Sequence, residues 1–533
     1  MNRIVVGGLL AALSVVCAMP LAAQVPYERI RDAKSEPSSW LTYSGDYTAQ
    51  RHSTLDQIDR QNVSKLQPAW IYQIKAGDPF EATPLVADGV MYVAEPPSDV
   101  TALDLKTGRP LWTYRRSLPE GVIACCGQVN RGVALLDDQV ILGTVDAHLV
   151  ALDAATGRVR WDVEVADYRQ AYSVTVAPLA LDGKIIVGIA GGEYGIRGFL
   201  DAYDPATGNR LWRFWTVPAP GQPGHETWSG DSWKSGAAAT WITGAYDPDL
   251  NLVYWGTGNP GPDFLGDSRK GDNLYSDSLI ALDADSGELR WHFQFTPHDV
   301  HDMDACQVPV LLDAEYGGED RKLLLFPNRN GFYYILDRVT GEYLLGREFA
   351  KQNWSLGLDS SGRPVKNAEA IPDADGALAY PDDDGTANWM SPTYSPSTGL
   401  IYTAVREKGA YFYKTEAEYV PGQLFMGASK RLLDNQQPKG YIRAIHVLTG
   451  ERAWDFELHT PPWAGLLSTA GDLLFSGSEE GEFFALDAQT GRPLWRFQTG
   501  GRMIAAPISY LSEGKQYVAI AAGGSLMVFG LAP

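Results

Sequence analysis

The stretch Ala151-Leu-Asp-Ala-Ala-Thr-Gly-Arg-Val-Arg-Trp161 decides the fold. Leu149 and Val150 precede it and extend an apolar run of the kind a buried strand shows. Asp153 and Thr156-Gly157 supply turn chemistry: a short acidic side chain that accepts from free backbone N–H groups, and a residue that tolerates positive φ. Trp161 lies on the returning strand. The unit reads as a β-hairpin with a large aromatic side chain left to pack outside it.

The same unit recurs as Ala102-Leu-Asp-Leu-Lys-Thr-Gly-Arg-Pro-Leu-Trp112, and further copies end at Trp212, Trp291, Trp454 and Trp495. A degenerate copy ends at Leu345, and Asn62-Val-Ser-Lys-Leu-Gln-Pro-Ala-Trp70 adds one tryptophan without the turn, making eight. Another apolar strand precedes many of the turns, as in Gly89-Val-Met-Tyr-Val-Ala94 and Gly183-Lys-Ile-Ile-Val-Gly188. Three to four strands per repeat of about 40–50 residues is the signature of a propeller blade. The spacings from Trp70 to Trp112, Trp161 and Trp212 (42, 49 and 51 residues) keep that period. The longer gaps, Trp212 to Trp291 and Leu345 to Trp454, carry insertions, with Tyr394-Ser-Pro-Ser-Thr-Gly-Leu-Ile-Tyr402 reading as an additional hairpin in the second. The expected fold is all-β: an eight-bladed β-propeller with tryptophans docked between blades. Trp70 is expected to join the last blade and close the ring, which removes exposed sheet edges.

Residues 1–23 read as a secretory signal: Arg3, an apolar run from Ile4 to Val16, then Ala22-Ala23 at the cleavage site. Residues 24–533 are then one propeller domain, exported, and no later stretch has the roughly 18 apolar residues of a membrane span. The net charge of −21 argues against nucleic acid and anionic membrane surfaces as partners. Of four cysteines, Cys17 falls in the signal, which leaves Cys125, Cys126 and Cys306. Adjacent Cα atoms stand about 3.8 Å apart, below the about 4.4–6.8 Å of ordinary disulfides. A Cys125–Cys126 bond would be strained and rigid. Two unbonded thiols are the alternative, and an oxidising compartment favours the bond.

The repeat accounts for the regular residues, so the irregular segments are the candidates for chemistry. Four depart from it: Ala190-Gly-Gly-Glu-Tyr-Gly-Ile-Arg-Gly198, Trp255-Gly-Thr-Gly-Asn-Pro-Gly-Pro-Asp263, Pro297-His-Asp-Val-His-Asp-Met-Asp304 and Pro327-Asn-Arg-Asn-Gly331. Glu193, Asn259, Asp302 and Asp304 offer only oxygen donors, the set for Ca²⁺ or a larger trivalent ion rather than zinc. Solvated loop carboxylates are the plainer reading of each.

The chain resembles the quinoprotein alcohol dehydrogenases of the methanol/ethanol dehydrogenase type, periplasmic enzymes that use pyrroloquinoline quinone (PQQ). The resemblance runs from Trp40 to about Phe529. It rests on Cys125-Cys126 followed by Val129-Asn-Arg-Gly132, on Gly191-Gly-Glu-Tyr-Gly-Ile-Arg-Gly198, on Tyr254-Trp-Gly-Thr-Gly-Asn-Pro-Gly-Pro262, and on the tryptophan repeats. It implies a Cys125–Cys126 disulfide against one face of the quinone and Trp241 as the floor on the other. Glu81, Arg131, Thr175, Ala190, Gly191 and Gly192 match positions that hold the cofactor's carboxylates and edge, and Arg329, Asn388, Trp389 and Trp463 match further cofactor contacts. Asp302 matches the catalytic base, with Arg329 beside the quinone oxygen. Glu193, Asn259 and Asp302 match the metal ligands. Asp304 matches the aspartate of lanthanide-dependent members that adds a further metal ligand and a negative charge, so the resemblance favours a lanthanide(III) ion over Ca²⁺. Ala239 stands where some relatives have a cofactor-binding Thr, and His301 stands in place of a Trp next to the base.

The activity so implied is oxidation of primary alcohols, with secondary or bulky ones in range, to aldehydes or ketones. No Cys-x-x-Cys-His occurs, so no covalent c-type haem is expected. Electrons would leave to a separate soluble cytochrome c, with a homodimer left open. A PQQ sugar or polyol dehydrogenase and a non-catalytic periplasmic propeller scaffold are the alternatives.

Overall fold

Each Asp-x-x-Thr-Gly segment closes a hairpin in the computed structural model of the chain, which describes residues 23–75, 79–433 and 437–532. In the 151–161 repeat, Asp153 Oδ1 accepts from Thr156 N at 2.9 Å and from Thr156 Oγ1 at 2.7 Å, and Gly157 N donates to Asp153 O at 2.8 Å. Strand His148–Asp153 pairs antiparallel with Val159–Glu164 on one side and Gln139–Gly143 on the other, and Val133–Leu136 completes a four-stranded meander. The described residues contain eight sheets of four or five strands, one of them extended by His52–Ser53 pairing parallel to Leu467–Thr469. Tyr27–Arg31 is the α-helix among them, five residues long. The chain is an all-β propeller.

Burial explains why inner and outer strands read differently. Inner strands such as Val90–Glu95 and Gln139–Gly143 are buried along their whole length, since neighbouring sheets cover both faces, so their sequences are apolar apart from Glu95 and Gln139 at the ends. The fourth strand, such as Val159–Glu164, alternates exposed and half-buried positions, and its sequence alternates with it.

The sheets lock together through the repeat's own residues. The Trp112 indole lies over Gly157, where a Cβ would stand 2.5 Å from the ring and φ is +69°. Only glycine meets both demands. The indole Nε1 donates to Ala154 O at 3.0 Å. Trp70 lies on Gly108 in the same way, Trp161 on Gly208, Trp212 on Gly287, Trp291 on Gly341 and Trp454 on Gly491. In the degenerate copy Leu345 takes the tryptophan's place against Gly450. Trp495 donates to Leu66 O at 3.1 Å, and strand Leu66–Gln73 pairs antiparallel with the C-terminal strand Ser525–Leu531. Trp70 thus sits on the outer strand of the last sheet, and an outer strand accommodates Pro68.

The second insertion is arranged differently from the expectation. Thr393–Ser395 and Leu400–Glu407, the segment read as an additional hairpin, are the first two strands of the regular sheet that ends in Lys439–His446 and Arg452–Leu458. The inserted material lies on either side of that pair. It forms a two-stranded sheet (Ser355–Leu358 with Pro364–Lys366) and a three-stranded one (Ala377–Ala379, Ala410–Lys414, Ala428–Leu432). The expected export segment lies outside the described residues except for Ala23. Among the described residues no helix is long and apolar enough to cross a membrane.

Candidate active site

An antiparallel four-stranded meander puts the turns between strands 1–2 and 3–4 at one end, and the 2–3 turns and the crossings to the next sheet at the other. The Asp-x-x-Thr-Gly turns occupy the first end. Every site residue named from the sequence lies on a connection of the second kind, and all of them line one cavity of about 310 Å³. Glu81, Cys125, Cys126, Arg131, Thr175, Trp241, Asp302, Asp304, Asn388, Trp389 and Trp463 come from crossings between sheets. Ala190, Gly191, Gly192, Glu193, Asn259 and Arg329 come from 2–3 turns.

On one side of the cavity Cys125 and Cys126 are disulfide-bonded, and their sulfur atoms lie within 4.8 Å of the Glu193 carboxylate. Sulfur atoms already bonded to each other are not thiolate ligands. Arg131 pairs with Glu81 at 2.8 Å, donates to Thr175 Oγ1 at 3.0 Å, and lies 4.8 Å from the centre of the Trp241 ring. Burial pushes the Glu81 carboxyl up, and Arg131 pulls it back. Trp389 and Trp463 stack at 4.3 Å with planes 11° apart, and Arg406 sits 3.6 Å over Trp463.

The charged centre is built around Arg329. It pairs with Asp302 Oδ2 at 2.9 Å and with Asp304 Oδ2 at 2.8 Å, and donates to Asp383 O. Asp304 is fully engaged: Oδ1 accepts from Asn259 N at 2.5 Å, and Oδ2 also accepts from Trp241 Nε1 at 3.0 Å. That bond ties the aromatic wall to the acidic cluster. Burial raises the carboxyl groups of Glu193, Asp302 and Asp304 above the usual range, Asp302 far above it against the pull of Arg329. More buried negative charge sits here than the two arginines neutralise, the condition a cation relieves. The donor set fits a hard ion through Glu193, Asn259 and Asp302. Arg131 Nε and Arg329 Nε are buried without hydrogen-bond partners, which fits an anionic, oxygen-rich guest such as PQQ.

His301, which stands in place of a Trp next to the base, and the remaining cysteine, Cys306, are placed as follows. His301 does not line this cavity; its Nε2 lies 2.7 Å from Ala370 O, and it borders a separate cavity of about 100 Å³ with Trp354 and Lys366. Cys306 is buried, its thiol pushed up by burial, and it donates to Asn388 Oδ1 at 3.7 Å. Ala239, which stands where some relatives have a cofactor-binding Thr, lines the active cavity, and so do Val129, Asp383, Asp384 and Met426, which were not singled out from the sequence. The run Asp382-Asp383-Asp384 just before Asn388 carried a signal for two of them. Met426, contributed by the inserted segment, carried none.

A fold of docked antiparallel sheets with an acidic, arginine- and tryptophan-lined cavity at one end defines the chain as a propeller dehydrogenase of the PQQ class. The family described as glucose/ethanol/alcohol dehydrogenase, beta-propeller domain, matches residues 40–350, and the one described as outer membrane protein assembly factor BamB matches residues 438–529. The quinoprotein alcohol dehydrogenase PedH of Pseudomonas putida is 38% identical, covering 98% of this chain and 93% of that one. The solved quinohemoprotein alcohol dehydrogenase ADHIIG from Pseudomonas putida HK5 superimposes with a TM-score of 0.91 at 35% identity, over 96% of this chain and 83% of that one. A europium-containing methanol dehydrogenase superimposes with a TM-score of 0.90 at 32% identity, over 95% of this chain and 100% of that one. The chain belongs to the PQQ-dependent (quinoprotein) alcohol dehydrogenase family.

Proposed function

We propose that residues 24–533 form a closed eight-bladed propeller that works in the periplasm as a PQQ-dependent alcohol dehydrogenase. It oxidises primary alcohols, and secondary or bulky ones within its range, and passes electrons to a separate soluble cytochrome c. The observation that carries the reading is the convergence on one cavity of the Cys125–Cys126 disulfide, the Arg131–Glu81 pair, the Trp241–Asp304–Arg329 network and the Glu193/Asn259/Asp302 donor set.

When bound, PQQ supplies a two-electron oxidant and the metal ion a Lewis acid beside it. The disulfide and Trp241 give the cofactor a rigid slot, so little ordering remains to be done on binding. Arg131 and Arg329 are permanent cations that hold its carboxylates and a quinone oxygen. Glu193, Asn259 and Asp302 hold the ion, and Asp304 adds charge beside it, which favours a lanthanide(III) over Ca²⁺. Asp302, steadied through Oδ2 by Arg329, takes the proton of the alcohol hydroxyl. Trp389 and Trp463 exclude water from the same space.

The test is a panel of alcohols and aldehydes with a dye acceptor, on protein loaded with PQQ and either Ca²⁺ or La³⁺. Alcohol-dependent dye reduction is expected, greatest with La³⁺. Full activity with Ca²⁺ and no gain with La³⁺ removes the lanthanide assignment. Inactivity under every combination returns the chain to a non-catalytic propeller.

A further inference from the structure

Of the described residues between Ala410 and Leu432, which belong to the inserted three-stranded sheet, Met426 alone lines the active cavity. Backbone bonds hold it from both sides. Phe425 N donates to Glu193 O at 2.7 Å, and Phe264 N, just past the loop that carries Asn259, donates to Met426 O at 2.8 Å. The same sheet is tied to a third part of the site. Lys430 Nζ pairs with Asp383 at 2.5 Å, and Asp383 O accepts from Arg329, the partner of Asp302. Phe412, on the middle strand of the inserted sheet, meets His301 edge-on with ring centres 6.1 Å apart, one residue before Asp302. Gly195 makes room for the docking: its φ is +64°, and a Cβ there would stand 3.0 Å from both Phe425 and Tyr419.

These anchors place Met426 at the acidic end, beside Glu193, Asn259, Asp302 and Arg329. An alcohol that presents its hydroxyl to Asp302 meets charged groups there, while its carbon chain needs apolar surface. The large aromatic residues of the lining are committed elsewhere. Trp241 donates to Asp304, and Trp389 and Trp463 stack on each other. Met426 is half-buried and packs against the apolar cluster of Phe264, Ala379, Ala410 and Phe412, so its position is supported from behind. Its unbranched thioether fits carbon chains and rings of differing shape. We infer that Met426 determines alcohol specificity: the substrate's carbon chain lies against it, and its bulk limits the size of alcohol that reaches Asp302. The inference rests on the reading of this cavity as an alcohol dehydrogenase site.

The test measures kcat and KM of the loaded full chain for ethanol, 1-hexanol and cyclohexylmethanol, with a dye acceptor. Met426→Ala is expected to raise the kcat/KM ratio of cyclohexylmethanol to ethanol about tenfold, and Met426→Trp to lower it by about tenfold or more. For 1-hexanol, Met426→Ala removes a contact made equally before and during reaction, so KM should rise more than kcat falls. Quinone absorbance and tryptophan-sensitised Tb³⁺ luminescence, both read without alcohol, should match the wild type in each variant. Leu424→Ala is the control, since Leu424 is 61% exposed on the same segment and does not line the cavity. Ratios unmoved in both Met426 variants, or moved equally by Leu424→Ala, overturn the role of Met426 and leave the dehydrogenase standing. A ratio shift accompanied by loss of quinone or Tb³⁺ signal assigns Met426 to cofactor binding and overturns its role toward the alcohol. A wild type inactive with every alcohol overturns both readings.

Discussion

Aspartates at the two ends of the same sheets do opposite work. At the turn end, Asp153 is partly exposed, accepts from Thr156, and is held below the usual carboxylate range by Arg160. Asp283 repeats this with Ser286 and Arg290 and is lowered to about 2. At the cavity end, Asp302 and Asp304 share the Arg329 guanidinium and are raised by burial. The residue type is the same, and water and donors make the difference. An aspartate that caps its own turn in water builds the fold, and one held out of water beside other carboxylates favours a bound cation.

The sharpest way to break the contrast is Asp302→Asn. Turnover with dye acceptor should fall about 10²–10⁴-fold, while thermal unfolding of the metal-free protein stays put or shifts upward. A comparable loss from a turn aspartate would erase the distinction. Trp112→Ala acts on the other end. Emptying the contact with Gly157 should cost about 3 kcal/mol in denaturant unfolding, with kcat per folded, loaded molecule retained. A change in kcat at unchanged stability would mean that the docking tryptophans reach the site.

Acid should separate the two ends by sign. A carboxyl raised in the metal-free fold takes up its proton at a higher pH than in the unfolded chain, so the penalty of its charge is greatest above the raised value and relaxes as pH falls through it. The same proton competes with the ion. Between pH 7 and 5 affinity for Tb³⁺ should drop by roughly tenfold or more, and the stabilisation it confers should shrink, as read from thermal midpoints with and without ion. Asp153 and Asp283, being lowered, keep their contribution across this window and lose it only below pH 4. The smallest effect belongs to Asp153→Ala, about 1 kcal/mol for the lost turn hydrogen bonds and none on turnover.

The fold was legible because its repeat is written in residues with a single physical use. Gly157 must be glycine under Trp112, and Trp161 must find a neighbour. Even the degenerate copy keeps its partner, with Leu345 against Gly450. The site residues were legible through the family resemblance rather than through spacing, since the cavity gathers them from connections hundreds of residues apart. The unread parts have local causes. From sequence Tyr394–Tyr402 reads as a spare hairpin because inserted strands separate it from Lys439–His446, its partner in the sheet. Met426 reaches the cavity from that inserted material, which follows no repeat.

The pairing of Leu66–Gln73 with Ser525–Leu531 sets an order of events during folding. The N-terminal strand leaves the ribosome first but has no partner until the last strand arrives, and the bond from Trp495 to Leu66 spans 429 residues of sequence. Contacts that distant are slow to form. Until they do, Leu66–Gln73 and the last sheet present bare edges to any other unfinished chain. For this protein the hazardous interval is therefore the wait for its own C-terminus, and a cut just before Ser525 would make that wait permanent while leaving every loop of the active cavity in the chain.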